Sequence, residues 1–98
     1  MNIRLSSDAL ADLEEGFSFY QQQAPGLGSY FITCLTADIE SLAYYGGIHQ
    51  VVHGHHRALS RQFPFCIYYT IEADDLTVVA VLDARREPLW TRQRLGAT

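Results

Sequence analysis

The sequence predicts an α+β fold in the order β-α-α-β-β-β: an N-terminal strand, an antiparallel helical hairpin, then a three-stranded antiparallel sheet. Three observations carry this. Apolar residues recur at spacings of three and four through the first half. A Pro-Gly break divides that half into two segments. The second half changes to strand-length runs rich in β-branched and aromatic residues.

Asn2 to Leu5 places Ile3 and Leu5 on one side of a short strand. Ser7 is the expected helix cap, with Asp8 in the first turn, where the helix dipole favours an acid. Ala9, Leu13, Phe17 and Tyr20 then form one helical face, and Asp12, Glu14, Glu15 and Gln21 to Gln23 form the wet one. Pro25-Gly26-Leu27-Gly28 ends that helix. A second helix is expected from about Ser29 to Tyr45, with Phe31, Leu35, Ile39 and Leu42 as its stripe, widened by Tyr30 and Cys34. Gly46-Gly47 supplies its stop. His49 to His56 reads as partly loop, and Arg57 to Phe63 alternates as a strand would. Beyond Pro64, Phe65 to Glu72 and Leu76 to Asp83 read as a hairpin around Ala73-Asp74-Asp75. The apolar run Val78 to Leu82 marks a central strand. A short tail with Trp90 follows. The expected core holds Phe17, Phe31, Ile39, Leu42, Ile67, Val79 and Val81, and Tyr68 and Tyr69 point to opposite faces.

A chain of 98 residues has room for one domain, expected to span 1–98. The 48% hydrophobic content argues against disorder. No apolar run reaches the length of a membrane span, and Met1 to Leu5 turns polar at Ser6 without a secretory stretch, so the cytoplasm is the expected compartment. There Cys34 and Cys66 are expected as free thiols. The net charge of −4 is unevenly spread: residues 1–56 hold six acids and one Arg, residues 57–98 five acids and six Arg. All the basic charge is Arg, whose planar fork grips carboxylate or phosphate. An anionic partner fits that half, while the overall acidity opposes generic nucleic-acid coating.

Several segments carry a family resemblance: Ala9-x-x-Asp12-Leu13, Phe19-Tyr20, Pro25-Gly26-Leu27-Gly28 with Tyr30-Phe31, His56-Arg57-Ala58-Leu59, Phe63-Pro64-Phe65-x-Ile67-Tyr68-Tyr69, and Val79-x-Val81-Leu82-Asp83-Ala84-Arg85-Arg86. In this order they resemble the RelE/ParE superfamily of toxins, often called plasmid stabilisation proteins, from about Ile3 to Pro88. The resemblance implies a growth-inhibiting toxin held in a hetero-oligomer by a cognate antitoxin. It also implies one of two targets: messenger RNA on the ribosome, cut by RelE-like members, or DNA gyrase, poisoned by ParE-like members.

Arg57 and Arg61 would share one strand face about 13 Å apart, and Arg85 and Arg86 would end the last strand. Gathered at the sheet rim, these arginines, with Trp90, are the candidate target-binding set. The alternative is surface pairing with Asp83, Glu87 and Glu72, which contributes little. A nuclease needs a base, an acid and phosphate donors, and the residues available are Arg57, Arg61, Arg85, His55 and Glu87. The chain has no Lys, and no Tyr or His follows Tyr69, so this set is incomplete beside the RelE-like pattern. The Arg85-Arg86 ending resembles the ParE-like branch, which needs no such chemistry and points to gyrase. The histidines of His49 to His56 lack a Cys, Asp or Glu among them, so a solvated loop is expected there rather than a metal site; a proton-transfer role for His55 or His56 stays open should the chain be a nuclease. No cofactor is expected.

Overall fold

The computed structural model describes residues 1–96; Ala97 and Thr98, the end of the expected 1–98 domain, lie outside the described residues. The elements run β1 (Asn2–Leu5), α1 (Ser7–Gln23), α2 (Leu27–Tyr45), β2 (Val51–Val52), β3 (His55–Leu59), β4 (Phe65–Glu72), β5 (Asp75–Asp83) and α3 (Pro88–Arg94). The strands form one sheet in the order β1-β5-β4-β3-β2. β1 lies parallel to β5, and every other neighbouring pair is antiparallel. The expected antiparallel β3-β4-β5 unit is therefore present, extended by one strand on each side.

One face of the sheet carries the helical hairpin. Phe31, Leu35, Ile39 and Leu42 of α2 and Ala9 and Tyr20 of α1 are buried with Ile67, Tyr69, Leu76, Val78 and Val81. The helices approach closely because Gly16 has no side chain: a Cβ there would lie 2.5 Å from the Phe31 ring. The opposite face holds a second cluster of Cys66, Tyr68, Ala80 and Leu82, against which Val79, Trp90 and Leu95 pack. Pairing jumps from Tyr68 with Ala80 to Tyr69 with Val78, so Val79 is the extra residue of a β-bulge. Val79 and Ala80 thus turn to the same side, and five consecutive apolar residues serve two faces.

Several expectations are corrected. Ser6, not Ser7, caps α1: its backbone is extended and its Oγ accepts the Ala9 N–H at 3.0 Å. Gly26, at φ 86°, turns the chain so that α2 starts at Leu27 rather than Ser29. The strand expected over Arg57 to Phe63 runs over His55–Leu59, because Asp38 Oδ2 accepts both the Ser60 hydroxyl and the Arg61 N–H and draws the chain off the sheet. The His49 to His56 segment contains a hairpin, β2 to β3, turning at His53 and Gly54, both at positive φ. The tail around Trp90 is helical, with Glu87 as cap and Pro88 in the first turn. Phe17 and Val79 are half-buried rather than fully core, Val79 because the bulge turns it to the second cluster. Tyr68 and Tyr69 do face opposite sides, and both are buried.

Beyond Leu5 the outer edge of β5 has no neighbouring strand among the described residues. Buried amides need partners, and α1 supplies one: the Val81 N–H donates to Asp12 Oδ2 at 2.9 Å. Ser6 Oγ donates to the Val79 carbonyl at 3.2 Å. The same Asp12 carboxylate receives both arms of Arg94, at 2.8 and 2.9 Å, which ties α3 to α1.

Candidate functional site

The site is built on the sheet face turned away from the helical hairpin and on the sheet end that follows β5. Register places Arg57 opposite Tyr68, itself opposite Ala80. Period-two alternation then puts His55, Arg57 and Leu59 on this face together. Arg57 is half-buried, and no carboxylate lies within 4.0 Å of it among the described residues. Its neighbours are neutral groups. Burial pushes the Tyr68 hydroxyl above its ordinary pKa, Cys66 adds to the rise and Arg57 opposes it. Burial likewise raises the Cys66 thiol, again against Arg57. A half-buried guanidinium among neutral neighbours is poised to accept an anion from a partner.

The other arginines are differently engaged. Arg85 forks onto Asp83, with Nε to Oδ1 at 2.9 Å and Nη2 to Oδ2 at 2.7 Å, and its backbone N–H meets the same carboxylate at 2.8 Å. This hydrogen bonding holds the Asp83 carboxyl below its usual range despite partial burial. Arg86 lies over the Trp90 ring, 4.1 Å from its centroid, and 3.9 Å from Glu15. Arg61 is exposed in the loop after β3 rather than on the strand face shared with Arg57. The Ala84 N–H donates to the Pro64 carbonyl at 2.7 Å, so that loop lies beside the chain leaving β5. Arg61, Arg85 and Arg86 thus collect at one end of the sheet, and Arg57 stands apart on its face.

The nuclease candidates are divided in the same way. His55 shares the face of Arg57, with Nδ1 2.9 Å from the His53 carbonyl. Glu87 caps α3 by accepting the Leu89 N–H. Among the described residues no cluster of three or more His, Cys, Asp or Glu has the arrangement to hold a metal ion.

Two features escaped the sequence reading. The first is a histidine cluster where a solvated loop was expected. His56 stacks on Tyr69 with ring centroids 5.0 Å apart, and His49 meets the same ring edge-on. His49 Nδ1 lies 2.6 Å from the Tyr69 hydroxyl, and His56 Nδ1 lies 2.8 Å from the His49 carbonyl. The segment folds inward because Tyr69 offers a fully buried ring with a hydroxyl to satisfy; the two-residue His53-Gly54 turn was its sequence signal. The second is a groove of about 290 Å3 between α1, β5 and α3, lined by Phe19, Phe65, Leu82, Arg86 and Trp90 among others. Glu87-Pro88, an acid followed by a first-turn proline, was the sequence signal for the helix that walls it.

An N-terminal strand, a helical hairpin on one sheet face and a mixed five-stranded sheet make up an α+β fold. The structure is similar to a chain of the "Chromosomal ParDE TA system from P. aeruginosa", with a TM-score of 0.72 and 16% sequence identity over 83% of this chain and 92% of that one. No protein-family model and no curated protein matches the sequence. Among the described residues no helix is long and apolar enough to cross a membrane.

Proposed function

We propose that this chain is the toxin of a bacterial type II toxin–antitoxin system, formed by a single domain over 1–98, acting in the cytoplasm and neutralised by a cognate antitoxin. The supporting observation is the shared fold, which extends over nearly the whole of the ParDE chain. Its target is DNA gyrase, engaged by binding through Arg57, Arg61, Arg85, Arg86 and Trp90. The separation of His55 and Arg57, on the open face of β3, from Arg85 and Glu87, which follow β5, supports binding over catalysis, since general acid–base work needs its groups within reach of one atom. Induction of the chain alone is expected to arrest growth, and co-expression of the product of the adjacent open reading frame to relieve the arrest. The purified chain is expected to inhibit gyrase in a supercoiling assay; unimpaired supercoiling at high excess of the chain refutes gyrase as target. Normal growth on induction instead marks a non-toxic antitoxin-binding remnant.

The pairing of His55 with Arg57 on one face favours a second reading, a ribosome-dependent endonuclease of messenger RNA. New transcript ends by primer extension, lost in Arg57→Ala, support that reading over the first.

A further inference from the structure

The two edges of the sheet are protected differently. Past β1, the outer edge of β5 is closed by Ser6 and Asp12. The other edge is β2, which ends the sheet among the described residues and carries neither a charge nor a proline to blunt it. We propose that β2 is a self-association edge: a second copy of this chain pairs with it about a two-fold axis at Val51, and the exposed side chains of Tyr44, Tyr45 and Ile48 close over the joint. This goes beyond the toxin–antitoxin reading and does not depend on it.

Backbone pairing is the first argument. The Arg57 N–H donates to the Gln50 carbonyl at 2.9 Å, so these two residues form a hydrogen-bonded pair of the antiparallel β2–β3 ladder. Such pairs alternate with pairs that exchange no bonds, so Val51, opposite His56, turns its N–H and carbonyl to the open edge. A donor and an acceptor on one residue are self-complementary. About a two-fold axis perpendicular to the sheet, each Val51 N–H meets the Val51 carbonyl of the other copy. β2 has two residues, so the ladder supplies one such pair and side chains must supply the rest. Area is the second argument. Tyr44, Tyr45, Ile48 and Val51 are 87%, 58%, 74% and 57% exposed. Together they leave open roughly 500 Å2, near the upper end for the largest apolar patch of a monomer. Two copies bury about 1,000 Å2 between them, the size of a weak, reversible complex. Charge is the third argument, and it selects the occupant. From Tyr44 to Val52 the chain holds no Asp, Glu, Lys or Arg. Two copies of net charge −4 repel each other, so they meet best where neither brings a formal charge. A partner chosen by charge finds nothing here to select it. The contact also leaves the arginines open. Val51 shares the row of His56 and Tyr69 on the helix side of the sheet, away from Arg57. Gly46 and Gly47 lie against Leu76 and Ile71, at the sheet end opposite Arg61, Arg85 and Arg86.

The test is sedimentation equilibrium of the purified chain over about 1–300 μM, a range that brackets micromolar association. The average mass is expected to rise with concentration from that of one chain toward that of two. Tyr44→Lys sets a charge against its own copy across the axis, and Val51→Pro removes the edge donor. Each is expected to weaken the dimer at least about tenfold. Arg57→Ala, on the opposite face, is expected to leave it unchanged. Tyr44 is exposed and a cation suits the last turn of a helix, so Tyr44→Lys is expected to melt at the wild-type temperature and carries the result should Val51→Pro misfold. A chain that stays monomeric throughout overturns the proposal, as does a dimer that both variants leave intact. A monomeric chain whose complex with the product of the adjacent reading frame is weakened by Tyr44→Lys gives the strip to that partner, and overturns the second copy as its occupant. None of these outcomes touches the toxin–antitoxin reading.

Discussion

At the scale of single residues, the hydrogen bond between Tyr69 and His49 is coupled to the charge of the imidazole. Tyr69 Oη accepts the Gly47 N–H at 2.9 Å and lies 2.6 Å from His49 Nδ1, which can take the hydroxyl proton only when that nitrogen is unprotonated. Burial, with the His56 charge as a second cause, accordingly lowers the His49 pKa below its ordinary value. A group whose folded pKa is depressed contributes stability that is present above the unfolded value, about 6.5 for His, and lost as pH falls from there through the lower folded value. The melting temperature is therefore expected to fall between about pH 7 and pH 5.5, a window above the titration of ordinary carboxylates. His49→Gln keeps an acceptor that does not titrate, and its melting temperature is expected to vary less over that window. Equal slopes for the two proteins would show that this hydrogen bond does not govern the acid response. The sequence places four histidines in one segment with no Cys, Asp or Glu among them, which is the ground for expecting a loop there. It did not reveal that Tyr69 would gather two of them, because that contact joins residues twenty and thirteen positions apart through strand register.

At the scale of elements, α3 is a seven-residue helix, too short to be stable by itself. Its place depends on Trp90 and Leu95 against the second cluster and on the Arg94 fork to Asp12. Asp12 is the more consequential partner because its carboxylate also satisfies the Val81 amide on the open edge of β5. Both side chains are mostly buried, at 10% and 23% exposure. Asp12→Ala leaves a guanidinium and an amide without their acceptor, and is expected to destabilise the protein by about 2–3 kcal/mol. Arg94→Met keeps the amide bond and most of the apolar stem, and is expected to cost less. Urea denaturation of both variants checks the order, and a milder Asp12→Ala would contradict it. The hairpin of helices and the β4-β5 pair were legible because their periodicities are long and uninterrupted. The bulge at Val79 was not, since an unbroken apolar run reads the same with or without an extra residue. The end of β3 was equally hidden, because it is set by Asp38, a helix residue more than twenty positions away.

At the scale of the whole molecule, four arginines that look equivalent in the sequence prove unequal in space. Strand alternation and proximity in the chain place Arg57, Arg61, Arg85 and Arg86 in one patch. Among the described residues the fold leaves Arg57 half-buried with no carboxylate within 4.0 Å, pairs Arg85 with Asp83, and carries Arg61 off the strand. A net charge of −4 makes this asymmetry matter, since an acidic molecule meets an anionic surface favourably only through a cation that its own acids have not already engaged. If the chain acts by binding such a surface, Arg57 must contribute more than Arg85, although the two have equal standing in the sequence. Arg57→Ala is expected to weaken target inhibition by roughly ten- to a hundredfold, the usual range for losing a partly desolvated charge contact. Arg85→Ala is expected to weaken it less than Arg57→Ala, because the guanidinium it removes is exposed and already paired with Asp83. Comparing the two at matched expression, by growth arrest and by inhibition of supercoiling, separates the cases. Greater loss in Arg85→Ala would mean that the Asp83 pairing opens on binding, and that the free face of β3 is not where the target is gripped.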